Sequence, residues 1–205
     1  MAFRVVVLVS GTGTLLQSLI DDLPEQVSAV GSDQPDAVAL QRAQAVGIPT
    51  FAEPLPRSDA QTTMRAAWDT RLTDAVARFD PDLVVCAGFM KLLGQTFLDR
   101  FGGRTINSHP ALLPSFPGIH GPRDALEYGV KITGATVFMV DAGVDTGRIL
   151  AQRAVPVLTD DTVESLHERI KVKEREMLVT VVTELAGVRP GMEELGTESS
   201  RKDPQ

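Results

Sequence analysis

The chain has 205 residues, 43% hydrophobic and 23% charged, with 20 Lys and Arg against 27 Asp and Glu for a net charge of -7. That apolar fraction supports one packed domain and excludes wholesale disorder, while the acidic balance argues against a broad basic face for nucleic acid and still permits a local anion pocket. Cys86 is the single cysteine, which excludes an intrachain disulfide and a cysteine-rich zinc site and suits a reducing, cytoplasmic setting.

In chain order, Phe3 to Val9 reads as a buried strand, too short for a signal-peptide core. It runs into the loop Ser10-Gly11-Thr12-Gly13-Thr14, and Leu15, Leu16, Leu19 and Ile20 follow at helical spacing. Val27 to Val30 is a second strand stopped by Gly31-Ser32-Asp33. Asp36 to Ala45 is helical and closed by Gly47, and Ile48 to Phe51 is a short strand kept near an edge by Pro49. A helix is expected from about Asp59 to Phe79 on the repeat Trp68, Leu72, Val76, and its apolar side offers a homodimer face. Asp82 to Ala87 and Thr105 to Ser108 are further strands, separated by a short helical stretch. Such alternation requires right-handed crossovers and a mostly parallel sheet with helices on both faces.

The pattern then changes. Pro110, Pro114, Pro117 and Pro122 punctuate an uncharged stretch, which excludes a membrane helix. Pro122 to Tyr128 forms a short helix. Ala135 to Val140 and Ile149 to Val157 are strands joined by a turn-rich connection, so an antiparallel C-terminal part is expected. Thr162 to Leu185 is a long amphipathic helix. The expected catalytic domain spans residues 1–186, and 187–205 reads as a mobile polar tail.

The glycine-rich loop between strand and helix suits an anion, because a helix start presents unpaired N–H groups. It lacks the Lys of a Walker A loop and the third glycine of a dinucleotide loop, and a plain turn with Thr as N-cap reads it equally well. Asn107 and His109, two apart on a strand end, point the same way, so an amide and an imidazole can hold an oxyanion and move a proton. Asp145 is their candidate partner. A carboxylate beside His109 would favour the imidazolium, although Asp141 and Asp145 also read as ordinary turn residues. Cys86 reads as buried filler, His167 as a solvated helix residue, and His120, after a Pro-Gly loop, as a loop residue able to serve in binding. The three histidines form no metal motif, and none is expected.

Together, the stretches Val5 to Thr14, Pro81 to Leu93, Ile106 to Pro114, Phe116 to His120 and Asp145 to Leu150 resemble the phosphoribosylglycinamide formyltransferases, folate-dependent enzymes of purine synthesis. The resemblance covers about residues 3 to 184. It implies a Rossmann-like formyltransferase fold that passes the formyl group of 10-formyltetrahydrofolate, as cosubstrate, to the amine of glycinamide ribonucleotide. By the same resemblance Asn107, His109 and Asp145 are catalytic. The ribonucleotide falls to Gly11, Thr12, Gly13, Thr14 and Leu15 and to Lys171, Val172, Lys173 and Glu174. Folate falls to Arg65, to Met90, Lys91, Leu92 and Leu93, to Asn107, and to Asp141, Ala142, Gly143, Val144 and Asp145. Three departures stand out: Leu15 where the family usually has Asn, Lys91 where Arg is common, and His-Gly-Pro-Arg at 120–123. The alternatives are another formyltetrahydrofolate enzyme, such as a hydrolase, and a non-catalytic nucleotide-binding module.

Overall fold

The computed structural model describes residues 3–55 and 61–187. Seven strands form one sheet in the order β3-β2-β1-β4-β5-β6-β7: β1 Val5–Val9, β2 Val27–Ser32, β3 Thr50–Ala52, β4 Leu83–Cys86, β5 Thr105–His109, β6 Ile132–Met139 and β7 Ile149–Pro156. The strands from β3 to β5 pair in parallel, and β5–β6 and β6–β7 are antiparallel. The fold is therefore the expected Rossmann-like mixed sheet. Among the described residues six helices cover it: α1 Thr14–Asp22, α2 Val38–Ala45, α3 Gln61–Ala77, α4 Gln95–Phe101, α5 Gly121–Tyr128 and α6 Val163–Gly187.

All five residues of β1 are buried because both faces of the central sheet are covered. Alternate residues feed two cores. Val5, Val7, Val30, Val85, Ile106, Ala135 and Val137 pack with α1, α2 and α6 through Leu16, Leu40, Ile170 and Leu178. Val6, Leu8, Ala29, Val84 and Cys86 pack with α3 and α4 through Trp68, Leu72, Val76, Phe97 and Phe101. The apolar stripe of α3 is thus occupied by the chain's own sheet. Trp68 is fully buried and donates its indole N–H to the Glu53 carbonyl at 2.7 Å. Buried Asp69 caps α4 from α3, accepting the Gly94 N–H at 2.8 Å and the Phe97 N–H at 3.2 Å.

The differences from sequence are local. β2 runs on to Ser32, because Asp33 is a buried acceptor rather than a solvated turn residue. β6 begins at Ile132, earlier than Ala135, since hydrogen bonding to β7 overrides the weak strand preference of Gly134. The expected start of α3 at Asp59 lies outside the described residues, as does the expected tail beyond Gly187.

Candidate active site

A cleft of about 760 Å³ opens at the carboxyl ends of the parallel strands. Its walls are the loops after β1, β4 and β5, the β6–β7 connection and one side of α6. It sits where the strand order reverses between β1 and β4, the place where crossovers leave such sheets to opposite sides.

Gly11, Thr12, Gly13, Thr14 and Leu15 form one end of this cleft. Gly13 is in the left-handed region at φ 74°, and a Cβ there would lie 2.6 Å from the Ala39 Cβ, so a tight turn and close packing on α2 both require glycine. Gly13, not a threonine, is the N-cap of α1, and no side chain caps it. The N–H groups of Thr14, Leu15 and Leu16 therefore have no intrahelical acceptor. The loop's carbonyls face the other way: Gly11 accepts the Ala39 N–H at 3.1 Å and Thr12 accepts Arg42 Nε at 2.8 Å. Leu15 packs its side chain in the core, so only its backbone offers a polar contact.

His109 is buried at the end of β5, and its ring is held on both sides. Nε2 lies 2.8 Å from the Phe116 carbonyl, which can only accept, so Nε2 carries a proton. Nδ1 lies 3.6 Å from Oδ2 of Asp145, which also accepts the Gly118 N–H at 2.7 Å. Both loops turn sharply to achieve this, with Phe116 and Asp145 each at φ 56°. Gly147 is required nearby, because a Cβ there would meet the Met139 carbonyl at 1.7 Å. Asn107 lies on the same face of β5 as His109, half-buried in the cleft wall, and its amide has no protein partner among the described residues.

The floor near β1 and β4 is organised by Asp33. It accepts Ser10 Oγ at 2.5 Å and Gln34 Nε2 at 2.9 Å and lies 3.7 Å from Lys91 Nζ, while Ser10 Oγ accepts the Met90 N–H at 2.8 Å. Met90, Lys91, Leu92 and Leu93 line the cleft beside Asp141, Ala142, Gly143 and Val144. Arg65 does not line it; its guanidinium bonds the Leu92 carbonyl and lies 4.7 Å over the Trp68 ring, bracing that wall from behind. On α6 the helical period selects Glu164, His167, Lys171 and Glu174 for the cleft. Val172 and Lys173 fall outside that stripe, Val172 exposed and Lys173 paired with Glu176 at 2.8 Å. Burial and Lys171 hold the His167 imidazole below its usual range. Burial pushes the Cys86 thiol up to about 12, in keeping with filler.

Reading the sequence missed several groups: the Phe116 carbonyl, Asp33, Ser108, Arg123 and the cleft position of His167, while His120, read as able to bind, does line the cleft. Only His167 had a usable signal, its spacing of four from Lys171 on a helix. Among the described residues no cluster of His, Cys, Asp and Glu could hold a metal, and no helix is long and apolar enough to cross a membrane.

Residues 3–182 match the formyl transferase family, and the chain belongs to it. More particularly, the chain is 57% identical over 187 residues to the phosphoribosylglycinamide formyltransferase of Mycobacterium tuberculosis strain H37Rv, covering 89% of this chain and 85% of that protein. It is 35% identical to the enzyme of that name from Bacillus subtilis strain 168, covering 90% and 95%. The crystal structure of glycinamide ribonucleotide transformylase 1 from Symbiobacterium toebii superposes with a TM-score of 0.86 at 40% identity, covering 94% of this chain and 91% of that one.

Proposed function

We infer that the chain transfers the formyl group of 10-formyltetrahydrofolate to the amine of glycinamide ribonucleotide, a step of purine synthesis in the cytoplasm. The observation that carries the mechanism is the His109–Asp145 contact of 3.6 Å, with the opposite ring nitrogen tied to a backbone carbonyl. That arrangement turns Nδ1 and a carboxylate toward the same part of the cleft.

The substrate amine attacks the formyl carbon directly, forming a C–N bond and pushing the carbonyl electrons onto oxygen. Asn107 and the His109 imidazolium stabilise that oxyanion. As the adduct collapses, the bond from the carbon to the folate nitrogen breaks. His109 passes a proton to that nitrogen and is reprotonated by the proton the attacking amine gives up on becoming the formamide, while Asp145 compensates the imidazolium charge. No acyl-enzyme is needed, and Cys86, with its raised thiol, is a poor nucleophile.

The phosphate of the ribonucleotide suits the open N–H groups of α1 and the Lys171 ammonium, which offset the acidic net charge locally. At the other end Met90, Leu92, Ile119 and Val144 leave apolar side chains uncovered around the cleft, a setting for a flat heteroaromatic ring. Purified protein with both substrates is expected to yield formylated ribonucleotide and tetrahydrofolate. Release of formate with no dependence on the ribonucleotide would identify a hydrolase instead, and no turnover with either would overturn the reading.

A further inference from the structure

β5 carries a serine where its surroundings call for an aliphatic residue. Ser108 lies on the face opposite Asn107 and His109, next to Ile106, whose side chain packs with Val85, Val137 and Ile170. Serine is a poor strand former, and its buried hydroxyl requires a partner. That partner is Glu174 of α6: Ser108 Oγ donates to Oε1 at 2.7 Å, and both residues are buried, Glu174 to 3% exposure. Both also line the cleft. The second oxygen of Glu174, Oε2, has no hydrogen-bond partner among the described residues. A carboxyl in an apolar wall with one bond of its own is costly to the fold. Its remaining acceptor is therefore available to something that enters.

We propose that Ser108 is a positioning residue for the acceptor substrate: it fixes one oxygen of Glu174, already an expected ribonucleotide contact by family resemblance, so that the other is held ready to accept a hydrogen bond from the bound ribonucleotide. This rests on the transfer reaction inferred above, and it concerns a residue the reaction itself does not touch. The place fits the ligand. Glu174 shares the α6 stripe with Lys171 and the cleft with the glycine loop, while Ser108 is flanked in the chain by Asn107 and His109. A sugar joining a phosphate at one end to an amine at the other passes between them.

The electrostatics give the pairing a signature. Burial raises the Glu174 carboxyl above its usual range, and the Ser108 bond, then Lys171 and Arg175, pull it back. On α6 Lys171 and Arg175 act on it, and His167 and, from the start of α1, Thr14 share its cleft. From β5 Ser108 bonds it, and the cleft it shares also holds His109, His120 and Arg123. Removing the hydroxyl therefore moves ionisation of Glu174 to higher pH.

The test compares Ser108→Thr with Ser108→Val, which have the same shape with and without a hydroxyl, alongside Ser108→Ala and Glu174→Gln. Ribonucleotide affinity is measured by calorimetry and by KM between about pH 5.5 and 9. Val and Ala are expected to weaken ribonucleotide binding by ~5–10-fold, with kcat and the folate KM within about twofold of wild type, as loss of one hydrogen bond implies. Their acid limb for ribonucleotide binding moves to higher pH. Thr restores both, and Glu174→Gln removes the limb. Folded Val and Ala variants with wild-type affinity and pH profile would overturn this inference and leave the transfer reaction standing. A wild-type protein that neither binds nor formylates the ribonucleotide would overturn both.

Discussion

Asp145→Asn isolates the charge at the centre of the mechanism. Asn tolerates the left-handed backbone at φ 56°, and its amide oxygen can still accept the Gly118 N–H. The fold and the loop are therefore expected to survive, with a melting temperature within about 2 °C of wild type, since no buried contact is lost. The carboxylate charge is what disappears, 3.6 Å from Nδ1 of an imidazole whose Nε2 is held by Phe116. At that distance a full charge pair attracts by about 4.6 kcal/mol at an effective dielectric constant of about 20. The amide dipole and cleft water recover part of this, and a loss of about half corresponds to ~50-fold in kcat. The upper limit, with nothing recovered, is roughly 2000-fold. Steady-state formation of formylated ribonucleotide, with KM for both substrates, reads the effect: kcat falls and both KM values stay within about threefold. A folded variant whose kcat remains within about threefold of wild type would refute the assigned role.

Other outcomes follow from the same geometry. Asn107→Ala, which removes a free amide from the cleft wall, is expected to lower kcat by ~10²-fold with unchanged melting. Gly13→Ala forces a Cβ to 2.6 Å from Ala39 Cβ at φ 74°, and the left-handed backbone alone costs about 1–2 kcal/mol; thermal melting should fall by several degrees and the ribonucleotide KM should rise. Trp68→Ala empties a fully buried site and removes a hydrogen bond to Glu53, an expected loss of ~3–5 kcal/mol in denaturant unfolding. Glu174 has a raised carboxyl in the fold, so its contribution to stability is present at acid pH and declines as pH rises through the folded value. Glu174→Gln should therefore gain melting temperature relative to wild type at pH 8 and show little difference at pH 5.

Much of the scaffold was legible because periodicity speaks plainly where both faces of a strand are buried. Val5–Val9 and Leu83–Cys86 are runs of apolar residues for that reason, and Pro49 did mark an edge strand. Asn107 and His109 were legible as a pair because strand geometry alone turns alternate side chains the same way. Asp145 was only a candidate in a glycine-flanked loop, given its catalytic role by family resemblance, since its approach to His109 depends on a tertiary contact between two loops far apart in the chain. The Phe116 carbonyl left no trace, as any residue has a carbonyl and only the turn at φ 56° aims this one. On α6, the four consecutive residues 171–174 taken from family resemblance cannot all share a face; the helix presents Lys171 and Glu174, with His167 one turn earlier. Asp33 was misread for the usual reason: acids near glycine and serine mark turns, and only packing shows when one is buried as an acceptor.

Because successive side chains of β5 leave the sheet on opposite sides, one strand end would serve two half-sites under the proposed function: Asn107 and His109 on one side, Ser108 with Glu174 on the other. A slip of one residue would exchange them, and parallel β4 and antiparallel β6 together lock against it. An inhibitor joining mimics of both substrates would accordingly need a bent linker that saddles the strand terminus. A rigid planar one would fill a single side and leave the other to compete.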